Sequence, residues 1–153
     1  MTKLSAAERA AVKEEFPELG RQVKKYPVRD GESAWTLNEA ETLVVGLMAE
    51  RERLQRELTE ADVELSDFLR NSGEGAGDDQ ADSGANALER EQELTIVNNM
   101  RDLLAQTNRA LERVARGTYA TCEATGAAIG KARLQAFPRA TLSVEAKARE
   151  ERR

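Results

Sequence analysis

Apolar residues repeat at alternating spacings of three and four along two stretches of this chain. In the first, Leu37, Ala40, Val44, Leu47, Arg51, Leu54, Leu58, Ala61, Leu65 and Phe68 form a seam in which nine of ten positions are apolar. That spacing keeps one face of a helix in register with a partner helix, so it predicts a coiled coil. Thr36 followed by Glu39 is a capping box that starts the helix, and Trp35 sits where a hydrophobic staple would. In the second stretch Val97, Met100, Leu104, Thr107, Leu111 and Val114 continue the pattern, with Ala87 and Leu94 extending it less regularly. This predicts a helix from about Gly84 to Arg116, stopped by Gly117. A short link favours an antiparallel hairpin within one chain. A parallel dimer through residues 37–68 is the competing arrangement, because heptads alone do not say whether the partner helix is in cis or in trans.

The two ends read differently. Residues 4–15 form a short amphipathic pattern, and Pro17, Gly20, Pro27 and Gly31 then predict irregular chain. Segment 1–35 is therefore expected to be a short helix plus a linker, packed on the globular end or contacting a partner. Residues 117–153 are turn-rich, with Gly126, Gly130 and Pro138, and Ser143 is placed to cap a last helix running to Arg153. The expected fold is mainly α. A long antiparallel coiled-coil hairpin occupies 36–116, and a small globular region follows at 117–153.

Composition narrows the function classes. Of 153 residues 33% are charged and 4% aromatic, which suits an elongated helical protein better than a large compact core. Net charge is −5, but residues 109–153 hold 10 Lys+Arg against 5 Asp+Glu, leaving 13 against 23 for the rest. Such asymmetry points to a partner with regions of both signs rather than to bare nucleic acid. The absence of histidine removes imidazole acid/base chemistry and metal ligation, and the single Cys122 excludes an internal disulfide. Neither a nucleophile–base pair nor a phosphate-binding glycine loop stands out, so no enzyme is expected. No apolar run approaches the roughly 20 residues that cross a bilayer, and a cytoplasmic monomer without sequence-specific DNA binding is the expectation.

The link between the helices, residues 71–85, carries Glu74, Asp78, Asp79 and Asp82 and no Lys or Arg. Carboxylates on a projecting tip suit a recessed, metal-containing or basic site on a larger partner. The plainer alternative is that Asp82 or Ser83 caps the second helix and the remaining acids keep the loop solvated.

The hairpin, the tip string Asp79-x-x-Asp82-x-Gly84, and the run Gly117, Thr118, Tyr119, Cys122, Glu123, Gly126, Ile129, Gly130, Arg133, Leu134, Ala136 and Pro138 together resemble the DksA/TraR family. The resemblance covers about residues 36–150. It implies direct binding to RNA polymerase, with the hairpin in the secondary channel and Asp79 and Asp82 acting near the catalytic magnesium. Gly84 stands where many members have alanine. The family's zinc finger has four cysteines, and the corresponding positions here are Cys122, Thr125, Ser143 and Ala146, so zinc is not expected as a cofactor. Where some members use basic side chains to bind guanosine tetraphosphate, this chain has Gln106, Phe137 and Lys147, which speaks against alarmone synergy. Arg133, Arg139 and Lys147 are the candidate polymerase or alarmone contacts. Two rival functions share the same pattern: a transcript-cleavage factor of similar shape, and a structural coiled-coil adaptor.

Overall fold

The computed structural model describes residues 3–73 and 80–152, with the backbone alone given for residues 71–73 and 80–83. It contains six α-helices: α1 (Ala6–Glu15), α2 (Leu19–Gln22), α3 (Leu37–Gly73), α4 (Gln80–Arg116), α5 (Lys131–Ala136) and α6 (Val144–Glu151). Among the described residues there is no strand, only an isolated antiparallel bridge between Thr121 and Ala128. No helix among them is long and apolar enough to cross a membrane. The mainly α architecture with a long helical hairpin of α3 and α4 agrees with the heptad reading.

The helix ends follow from local chemistry. Ser5 and Glu8 form a capping box at the start of α1, each side chain accepting from the other's backbone N–H at 3.1 and 2.9 Å. Thr36 and Glu39 do the same for α3, at 3.2 and 2.9 Å. Helix α4 ends in a Schellman motif, in which Thr118 N–H reaches Arg113 O at 2.9 Å and Gly117 N–H reaches Val114 O at 3.2 Å. Gly117 takes φ +83° there, a left-handed conformation that favours glycine. Ser143 Oγ accepts from Ala146 N–H at 3.2 Å and starts α6 as expected.

Two expectations about elements need correction. Helix α4 starts at Gln80, four residues before Gly84, so helix extends into the stretch read as loop. The segment after Pro17 is also more ordered than its prolines and glycines implied. Helix α2 runs into a 3-10 turn at Val23–Lys25, which places Leu19, Val23 and Tyr26 on one buried side.

The chain forms two compact units. The first comprises Met1–Glu50 and Gln106–Arg153, and the second Arg51–Ala105. In the first, Val12, Phe16, Leu19, Val23, Tyr26 and Trp35 from the N-terminal segment share a core with Ala40, Val44, Leu47, Ala110, Leu111 and Val114 of the long helices. Tyr119, Ile129 and Leu134 complete it from the C-terminal side. Fully burying each of the larger aliphatic or aromatic side chains stabilises by about 1.5–3 kcal/mol, so residues 4–35 are structural parts of this unit. In the second unit Leu54, Leu58 and Val97 are buried, whereas Ala61, Leu65 and Phe68 are half-buried and Leu94 is exposed. An Arg101–Asp62 ion pair at 3.0 Å adds a contact between the helices.

A strap formed by residues 29–39 ties the C-terminal helices to α3. Arg29 makes a two-pronged contact with Glu145 of α6, at 3.0 and 2.5 Å. Glu32 Oε2 accepts from the Lys131 and Ala132 N–H groups at 2.9 and 3.4 Å, and Glu32 Oε1 accepts from Arg29 N–H at 3.0 Å. The Lys131 ammonium donates to Ser33 Oγ, Ala34 O and Glu39 Oε1 at 2.9–3.0 Å and lies 5.7 Å from the centre of the Trp35 ring.

Candidate functional site

The C-terminal turns are built on backbone pairing. Cys122 N–H donates to Ala127 O at 2.7 Å, Gly126 N–H to Cys122 O at 2.9 Å, Ile129 N–H to Ala120 O at 2.9 Å and Glu123 N–H to Thr141 O at 2.9 Å. Gly126 closes this loop at φ +77°. The buried Tyr119 donates its hydroxyl to Pro138 O at 2.8 Å, which fixes the chain after α5. Arg113 of α4 donates to the carbonyls of Thr118, at 2.7 Å, and Thr121, so the helix end and the turns form one frame.

Three of the four finger positions meet in this frame. Cys122 is 2% exposed. Burial pushes its thiol up, but hydrogen bonds from the Thr125 hydroxyl and from the Ser143 and Thr125 backbone outweigh it and bring the group down to about 6. Ser143 is buried and accepts from the backbone of Ala146, the fourth position, which has no side-chain donor atom.

Beside this frame lies a cleft of about 740 Å³. Arg133, Arg139 and Lys147, the expected contact residues, all line it, together with Gln106 and Phe137. Two of these cations have internal partners: Arg133 Nε donates to Leu142 O at 2.8 Å, and Arg139 pairs with Glu50 at 3.6 Å. The Arg133 guanidinium also sits 5.7 Å from the centre of the Phe137 ring, and that ring is 62% exposed. Sequence reasoning missed Arg109 and Glu123, which pair across the same cleft and belong to its wall. Burial pushes the Glu123 carboxyl up, and hydrogen bonds from Arg109 and the Thr141 hydroxyl outweigh it and hold it below its ordinary range. The i, i+4 spacing of Arg109 and Arg113 was the available signal, since it sets both on one helix face.

The acidic tip is described only in part. Asp79 lies outside the described residues. Asp82 falls within α4, with only its backbone given, and Gly84 is an exposed helical position with open space around it.

Residues 117–152 match the prokaryotic dksA/traR C4-type zinc finger family. The chain is 40% identical over 107 residues to the RNA polymerase-binding transcription factor DksA of Caulobacter vibrioides, spanning 70% of this chain and 72% of that protein. It is 37% identical over 98 residues to general stress protein 16O of Bacillus subtilis, covering 62% of this chain and 60% of the relative. Among solved structures, transcription factor DksA2 from Pseudomonas aeruginosa superimposes with a TM-score of 0.62 at 33% identity, over 75% of this chain and 84% of that one.

The first of these matches corrects the expectation about zinc. Counting cysteines led to a lost site, whereas the whole segment matches a C4-type zinc finger and so points to zinc binding. The side-chain donors present at the four positions are one thiol and two hydroxyls, and no group of three or more His, Cys, Asp and Glu gathers among the described residues. These donors do not make a four-thiolate tetrahedron.

Proposed function

The chain belongs to the DksA/TraR family, and from that premise we propose that it is a non-catalytic transcription regulator that binds RNA polymerase directly. Hairpin 36–116 enters the secondary channel of the enzyme, and the carboxylates of Asp79 and Asp82 act near its catalytic magnesium and change the kinetics of initiation. The globular end stays outside, with Arg133, Arg139 and Lys147 facing the polymerase surface. The protein works in the cytoplasm as a monomer. The observation that carries the proposal is the 40% identity to a factor named for polymerase binding, over a span that covers most of both chains.

The chemistry of these side chains agrees with it. A carboxylate pair interacts with magnesium through its oxygens or through the metal's waters, and needs no catalytic group of its own. The cleft is lined by Arg109, Arg133, Arg139 and Lys147 and also by Glu123, Glu150 and Glu151, with Arg133 held by Leu142 O, and a lining of both signs suits a partner surface of both signs.

Two measurements test the reading. Core RNA polymerase from the same organism is expected to be retained by the purified protein. The Asp79→Asn/Asp82→Asn variant is expected to bind equally well while losing the effect of wild-type protein on open-complex lifetime. An unchanged effect in the variant would remove the tip from the mechanism, and release of short RNA ends from backtracked complexes would turn the protein into a cleavage factor.

A further inference from the structure

Phe137 stands apart from the other aromatic residues of the chain. Phe16, Tyr26, Trp35 and Tyr119 are buried and Phe68 is half-buried, whereas the Phe137 ring is 62% exposed. That ring is not carried on a loose loop. Phe137 N–H donates to Arg133 O at 2.7 Å and Ala140 N–H to Phe137 O at 2.9 Å, and the carbonyl of the next residue, Pro138, holds the Tyr119 hydroxyl. The Arg133 guanidinium, itself fixed by Leu142 O, stands over the ring. An aromatic side chain ordered by the fold yet left in water is pre-organised, because a partner that covers it gains the burial of its apolar surface with little ordering cost.

The surroundings of the ring say what kind of partner that is. Ala136, Pro138, Ala140 and Leu142 line the same cleft and add apolar surface next to Phe137 in sequence. Charged side chains of both signs complete the lining, and Lys147, Glu150 and Glu151 of α6 form no ion pair among the described residues. Protein interfaces concentrate their affinity in such an arrangement, an aromatic centre that excludes water inside a polar rim. A phosphorylated small molecule fits less well. It would meet Glu123, Glu150 and Glu151, while Arg109, Arg133 and Arg139 are already engaged with Glu123, Leu142 O and Glu50. On the footing of the polymerase binding proposed above, we infer that Phe137 is the apolar anchor of that contact. It seats against an apolar patch of the enzyme bordered by charges of both signs, and the open charges of α6 set the register around it.

The affinities of full-length wild-type, Phe137→Ala and Phe137→Arg proteins for core RNA polymerase of the same organism test the assignment. The ring is largely exposed, so both variants are expected to keep the wild-type urea midpoint. Phe137→Ala is expected to bind about 30-fold more weakly, the loss of a hot-spot aromatic. Being apolar in origin, that ratio should persist when salt is raised from about 0.1 M to about 0.5 M. Phe137→Arg adds a cation to the cleft and is expected to bind no better than Phe137→Ala. Wild-type affinity in the arginine variant would mean that the cleft reads charge alone, and would overturn the inference. At saturating concentration Phe137→Ala should reach the full wild-type effect on open-complex lifetime, since its tip is unchanged. If wild-type protein binds and Phe137→Ala binds equally well, the anchor is overturned while polymerase binding stands; if wild-type protein does not bind, both are overturned.

Discussion

Helix α5 has Gly130 as its N-cap, which has no side chain to accept from the first free amides, and the carboxylate of Glu32 takes that place from a distant part of the chain. Replacing an N-cap acceptor by alanine typically costs about 0.5–2 kcal/mol. Glu32→Ala is accordingly expected to lower unfolding stability in urea by roughly 1 kcal/mol, with Asp30→Ala as a near-neutral control. Gly130 itself holds φ +102°, and a Cβ there would lie 2.6 Å from Arg29 Cδ. Gly130→Ala therefore combines backbone strain with a collision against the strap, and should cost more than Glu32→Ala, about 2–3 kcal/mol by the same measurement. Glu145 gives the strap a pH dependence. Its hydrogen bonds to Arg29, together with its own backbone N–H, bring the carboxyl from the ordinary 4.5 to about 2. A depressed folded-state value means that the contribution is complete above about pH 4.5 and is lost as pH falls toward 2. The urea midpoint should decline across that interval, and Glu145→Gln should flatten part of the decline.

At the scale of elements, Gly84 is the test position. It is a glycine inside an exposed stretch of α4 with nothing within 4 Å of where a Cβ would stand. Gly84→Ala should stabilise that part of the helix by up to about 1 kcal/mol, the difference between the two residues in a helix interior. Slower amide exchange at the start of α4 would show it. In the proposed mechanism the same change steadies the backbone beside Asp82 and should strengthen the effect on open-complex lifetime. The long helices were legible because period, cap and stop agreed: Thr36 and Glu39 at one start and Gly117 at one end carry their own local chemistry. Helix α2 was not, since Pro17 and Gly20 argue against it locally and its stability comes from burying Leu19, Val23 and Tyr26 in a core assembled from distant segments. The same reason hid the strap, where Glu32 and Lys131 are 99 residues apart. That Arg133, Arg139 and Lys147 line one cleft follows from the fold and not from their spacing in sequence, and the Arg109–Glu123 pair likewise depends on a loop closing back onto α4. The expectation of no zinc rested on the four ligand positions, whereas the match that overturns it rests on residues throughout 117–152.

For the molecule as a whole, the question is whether the N-terminal segment serves the fold or an outside partner. It contributes Val12, Phe16, Leu19, Val23 and Tyr26 to the core of the first compact unit, all at most 7% exposed. It also reaches α5 and α6 through Glu32 and Arg29, and accepts from the Lys131 ammonium of α5 at Ser33 Oγ and Ala34 O. Loss of several fully buried large side chains at about 2–5 kcal/mol each would exceed the 5–15 kcal/mol that typically holds a domain together. A chain starting at residue 29, which keeps the strap but not α1 and α2, is therefore expected to lose amide-exchange protection at Tyr119, Ile129 and Leu134. A role confined to partner contact predicts the opposite, namely unchanged protection at those residues with weakened polymerase binding. Measuring exchange and binding on the same truncated protein separates the two, because loss of binding counts for a contact role only where the core has survived.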